Sequence, residues 1–219
     1  MQTQKYFRIA SLSLFFFLFI FASPNFAQPK EVKPELSVVG VELGNRETAK
    51  KYLLPGHHPR AEEDGRASYY FYNEWGTQVM RLTVPSVDDP YFINEIEVFS
   101  VGKSYQKRHY QDAEHGLMMT ENGIFIGFRQ TAMNLFVGIR NVGKKNQIGP
   151  EALIDIKGEP TEREETGEKG EVLIYEIDNV KVADSETPGK YTGRYEFYKG
   201  KLKRFSLKID LEKNSKPVN

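Results

Sequence analysis

Apolar and polar positions alternate strictly in three stretches of the chain. Met80, Leu82 and Val84 alternate with Arg81 and Thr83, Ile96 and Val98 with Glu95 and Glu97, and Phe205, Leu207 and Ile209 with Arg204, Ser206 and Lys208. Successive side chains of a strand point to opposite faces, so this period predicts antiparallel sheet with one buried and one wet face. Similar runs predict strands over 67–73, 77–84, 93–101, 171–178, 193–199 and 201–209, and Lys199-Gly200 reads as a tight hairpin between the last two. Helical spacing is rarer. Ala49, Tyr52 and Leu53 fall at i, i+3 and i+4, as do Ala132, Leu135 and Phe136, which predicts a short helix at each place. A third helix is expected from Pro150, suited to a first helical position, to the exit at Gly158.

The first two helices sit in segments that resemble one another. Gly40–Gly56 and Gly123–Gly138 share Gly40/Gly123, Gly44/Gly127, Arg46/Arg129, Thr48/Thr131, Ala49/Ala132 and Gly56/Gly138. Self-similarity of this kind points to duplication. The expected fold class is therefore α+β: two tandem units, each a short helical segment packed on an antiparallel sheet. The boundaries follow as a first repeat unit over 38–101, a polar linker over 102–117, and a second unit over 118–210 with an extra helix near 150–157. A flexible N-terminal segment, 28–37, and a C-terminal tail, 211–219, flank them.

The first 27 residues read differently. Lys5 and Arg8 precede a 14-residue apolar or small run, Ile9–Ala22, with no acidic residue before position 28. That run suits the core of a secretory signal peptide, whereas a membrane-spanning helix needs about 20 residues. Cleavage after Ala27 is expected, with Ala22 as the alternative, which makes the working chain periplasmic or extracellular without a stable membrane anchor. The whole chain has 30 basic and 30 acidic residues and no cysteine. The balance leaves no field to attract nucleic acid, and the missing thiols exclude disulfides, thiolate metal sites and a lipid-anchored amino-terminal Cys.

Beyond pattern, certain residues match a known unit. Ile148-Gly149, then Pro150 to Ile156, Gly158-Glu159-Pro160, Tyr175 and the run Tyr195 to Leu202 resemble the small helix-plus-sheet repeat of β-lactamase-inhibitor-like proteins and of the SmpA/OmlA outer-membrane assembly lipoproteins. Leu43-Gly44, the helix to Leu54 and Gly56-His57-His58-Pro59 match it in the first half, so the resemblance covers most of 38–210. It implies units that bind other proteins and do no chemistry. This chain lacks the lipidated Cys of the one group and the disulfides of the other, so neither specific role carries over.

Candidate chemistry is sparse. Gly138–Lys145 fits a phosphate loop until Lys145 stands where Ser or Thr should hold Mg²⁺. His57-His58 near Asp64, and His109 with Asp112 and His115, could offer metal ligands but lack a recognised zinc spacing. The acidic stretch Glu162–Glu165 reads as a solvated hairpin loop. No catalytic, metal or cofactor residue is assigned. One cluster stands out: Tyr69 to Trp75 carries five aromatics in seven residues, and strand alternation turns Tyr70 and Tyr72 outward beside Trp75. Amphipathic aromatics suit contact surfaces, so these three are the candidate partner-binding residues. The expected function is an exported, non-enzymatic protein-binding module whose partner is another envelope or extracellular protein. The alternative is an envelope hydrolase or metal-dependent enzyme using loop His, Asp and Glu residues.

Overall fold

The computed structural model describes residues 31–53, 56–72, 78–100, 116–119, 125–130, 135–139 and 149–211. Within them the chain is mostly strand. In order come β1 (Ser37–Val38), β2 (Val41–Glu42), α1 (Arg46–Tyr52), β3 (Arg60–Ala61), β4 (Ala67–Tyr72), β5 (Gln78–Val84) and β6 (Glu95–Phe99). Then follow β7 (Gly116–Met119), β8 (Phe125–Gln130), β9 (Leu135–Ile139), α2 (Pro150–Lys157), β10 (Glu162–Thr166), β11 (Gly170–Val180), β12 (Gly189–Tyr198) and β13 (Lys201–Leu211).

Eight of these strands form one antiparallel sheet in the order β10-β11-β12-β13-β6-β5-β4-β3. Two meanders meet through their last strands, with Phe205 opposite Val98 and Leu207 opposite Ile96. This corrects the expected α+β pair of tandem helix-plus-sheet units: the described residues are mostly β, and strands from both expected units share one eight-stranded sheet. The physical reason lies at the seam. A last strand left unpaired would expose its backbone donors and acceptors, and pairing β6 with β13 satisfies both while joining their apolar faces.

The second expected helix is also overturned. Ala132 lies outside the described residues, but Leu135 and Phe136 belong to β9, which pairs with β8 in a separate three-stranded sheet, β7-β8-β9. Leu-Phe-Val-Gly-Ile is apolar throughout, so three positions at helical spacing carried no real phase. Its β-branched and aromatic residues favour strand, and a mid-helix glycine disfavours helix. The described residues aligned with α1, namely Arg129, Gln130 and Leu135, are thus in strands, and the described parts of the two glycine-led copies do not fold alike. The strip Glu162–Glu165 likewise forms edge strand β10, paired with β11, rather than a loop. Its charges suit an edge, where they discourage further pairing.

Other expectations hold locally. Helix α1 forms where the spacing of Ala49, Tyr52 and Leu53 predicts one, and the structure adds a cap at Asn45, which accepts from the backbone N–H groups of Glu47 and Thr48 at 3.1 and 3.2 Å. Pro150 opens α2 and Gly158 closes it at φ 91°. Lys199 and Gly200 both take positive φ between paired Tyr198 and Lys201, the geometry a two-residue hairpin needs.

One face of the large sheet holds the core. Tyr69, Met80, Leu82, Ile96, Val98, Phe205, Leu207, Tyr195 and Tyr175 are buried there with Leu43, Ala49 and Leu53 around α1 and Leu153 of α2. The opposite face is covered over β5 and β6, where Val79, Thr83 and Glu97 are buried, and β9 passes close to both strands.

Candidate functional site

The alternation in β4 sets the candidate site. Tyr69 faces the core, is buried, and donates its hydroxyl to the Pro90 carbonyl at 2.8 Å. Burial pushes that hydroxyl up to about 12. Phe71 also packs against the core. Tyr70 and Tyr72 project to the other side, where their rings stack at 6.4 Å with planes 22° apart. Tyr72 is 42% exposed, among the largest open apolar surfaces of the described residues. Tyr70 is half-buried and donates to a Glu62 carboxylate oxygen. That hydrogen bond raises the Tyr70 hydroxyl and lowers the Glu62 carboxyl. The structure therefore brings Tyr70 and Tyr72 together on one surface; Trp75 lies outside the described residues.

Beside this pair the same face carries a row of alternating charge. Glu164 pairs with Arg194 at 3.1 Å, Arg194 with Glu196 at 3.3 Å, Glu196 with Arg204, Arg204 with Glu97 at 3.7 Å, and Glu97 with Arg81. Five strands contribute, because cross-strand neighbours on one face sit close enough for long side chains to meet, and Arg194 reaches past β11 to Glu164. The two glutamates flanking Arg204 differ. Burial is the largest influence on Glu97 and pushes its carboxyl up despite Arg81 and Arg204. Burial also pushes Glu196 up, but hydrogen bonds and charge from Arg204 and Arg194 outweigh it and leave that carboxyl below its usual value.

The signs then oppose. Glu196 contributes stability that is present above the unfolded carboxyl value and lost as pH falls through its lower folded value. Glu97 contributes stability that is present below the unfolded value, about 4.3, and lost as pH rises through its raised one. We expect urea titrations to show Glu97→Gln gaining on wild type as pH rises across that window, and Glu196→Gln losing ground there. Equal pH profiles for the two variants would contradict this division.

The remaining candidates are not assembled into chemistry. His57 packs edge-on against Tyr69 at 5.5 Å and Phe71 at 5.7 Å. Asp64 is engaged by Arg66 at 2.7 Å. His109, Asp112 and His115 lie outside the described residues, as do residues 140–145 of the phosphate-loop match. Among the described residues no group of three or more His, Asp or Glu side chains is placed to hold a metal ion, and no helix is long and apolar enough to cross a membrane.

Two polar residues central to the interior went unnoticed in the sequence. Glu35 and Lys157 have fully buried side chains and meet at 3.5 Å, and the Tyr195 hydroxyl donates to the same Glu35 oxygen at 3.0 Å. Lys157 follows Leu153 by four positions, which puts it on the buried stripe of α2. That spacing was the available signal, but a lysine in the last turn of a helix also reads as an ordinary partner of the helix dipole.

Compared with known protein families, curated proteins and solved structures, the chain matches none.

Proposed function

We propose that this chain is an exported, non-catalytic protein-binding module, and that it meets its partner, another envelope or extracellular protein, at the β4 end of its outer sheet face. The observation that carries this reading is the stacked Tyr70–Tyr72 pair, with Tyr72 open to solvent and Tyr70 held by Glu62. Tyrosines held in place before binding lose little conformational freedom on contact while offering both apolar area and a polar tip. The neighbouring alternating charges offer register to a complementary surface. Export is supported by the charged start, the short apolar run and the small residues before Gln28.

The test uses the native envelope as the source of partner. Wild-type protein is cross-linked and captured, and the recovered partner is then titrated against the purified chain. Tyr70→Ala with Tyr72→Ala is expected to weaken that binding about tenfold or more, with little change in melting temperature because neither ring belongs to the core cluster. Undiminished binding by a folded double variant would remove β4 as the site. Stoichiometric metal in the purified full-length protein, lost on His57 substitution, would favour the alternative enzymatic reading.

A further inference from the structure

The Glu35 carboxylate and the groups that receive it come from opposite ends of the described chain. Glu35 lies in the irregular segment before β1, and its carboxylate has no solvent exposure. Its receivers are Lys157 at the end of α2 and Tyr195 in the middle of β12. Contacts among the receivers also help to hold the receiving side. Lys157 Nζ lies 5.5 Å from the ring centroids of both Tyr175 and Tyr195. Tyr175 fastens the end of α2 by donating to the Gly158 carbonyl at 3.1 Å. Tyr191, two positions before Gly193 on the same face, is fully buried, and a side chain at Gly193 would come within 2.7 Å of its hydroxyl. The missing Cβ is what lets that hydroxyl lie over the strand.

An ammonium in such surroundings is costly without an anion, and a carboxylate there is equally costly without donors. One Glu35 oxygen, Oε2, takes both the tyrosine and the lysine, while Oε1 is buried with no hydrogen-bond partner among the described residues. The receivers therefore select for the charge and tolerate an incomplete fit to the rest of the group.

We propose that Lys157 and Tyr195, with Tyr191 beside them, form a carboxylate-binding site that the segment over 31–43 fills in cis with Glu35, and that the site accepts a small free monocarboxylate once the glutamate is removed. Segment 31–43 is in this sense a tethered ligand. Apolar anchors hold it as well: Val38, Val41 and Leu43 are buried in the core, and within the segment Leu43 N–H donates to the Leu36 carbonyl at 2.8 Å. Losing the carboxylate should thus leave the segment docked and the site vacant.

The test is rescue in the full chain. Glu35→Gly is melted in sodium acetate, in sodium chloride of equal ionic strength, and in acetamide, the neutral isostere. Acetate is expected to raise the melting temperature of Glu35→Gly saturably, by about 5 °C. Chloride and acetamide should not, and neither wild type nor Glu35→Gly with Lys157→Met should respond. If Glu35→Gly is unfolded in chloride, the same titration is read as recovery of native circular dichroism. No selective acetate effect, or the same effect without Lys157, overturns the proposal. A second measurement needs no cavity. Lys157→Met should lower the folding equilibrium constant at least about tenfold in wild type and far less, or not at all, in Glu35→Gln. Additive losses would mean that lysine and carboxylate do not recognise one another.

Discussion

Replacing Phe205 with alanine is expected to destabilise the whole molecule by about 3–5 kcal/mol, the usual cost of emptying an aromatic core position. Phe205 is fully buried, stacks on Tyr195 with ring centroids 5.8 Å apart, and faces Val98 across the β13–β6 seam. Removing its ring leaves a void beneath the one pairing that connects the two meanders. Because those meanders share a sheet and a core cluster, the loss should be felt in both. Hydrogen exchange followed in urea should show the amides of β4 and β12 losing protection together. If β12 lost protection while β4 kept its own, the halves would be separately stable and the seam would be a contact between domains.

Gly44→Ala is expected to cost about 2–4 kcal/mol, from two separate sources. Gly44 has φ 64°, which an L-residue adopts only with strain, and an added Cβ would lie 2.4 Å from Cγ2 of buried Val182. The backbone cannot retreat easily. Gly44 N–H donates to the Ile93 carbonyl at 2.8 Å, and its own carbonyl accepts from Asp184 N–H at 2.8 Å. The two sources can be separated by also truncating the neighbour. In a Val182→Ala background the added methyl finds room, so the further loss from Gly44→Ala should shrink to the conformational part, about 1 kcal/mol. Denaturant unfolding of the four proteins checks this. An undiminished loss in the Val182→Ala background would mean that the clash contributes nothing.

Both predictions rest on contacts between segments far apart in the chain, and that is where the sequence was least legible. Its local content was plain. Alternation located β5, β6 and β13 within a residue or two, because a half-buried strand must alternate to bury one face. Pro150 and Gly158 around α2, and Lys199-Gly200 in the hairpin, were legible because each satisfies a requirement of the backbone at its own position. The outward turn of Tyr70 and Tyr72 followed from the same period of two.

Partner choice did not follow from any of this. Which strand lies beside β6 depends on the free edge of a strand more than a hundred residues away, and alternation says which face is buried but not against what. The apolar run around Leu135 had no phase, so its pairing with β8 decided that it is strand. Glu35 sits in a polar-looking stretch near the start, and its burial becomes tolerable only because Lys157 and Tyr195 arrive from elsewhere. By itself, then, the sequence determined the alternating strands such as β5, β6 and β13, their buried faces and the Lys199-Gly200 turn, all of which are set by neighbours within a few positions. The shared eight-stranded sheet, the seam and the buried carboxylate were decided only in the tertiary structure, where the energy of pairing and of charge burial depends on groups that the chain brings together from a distance.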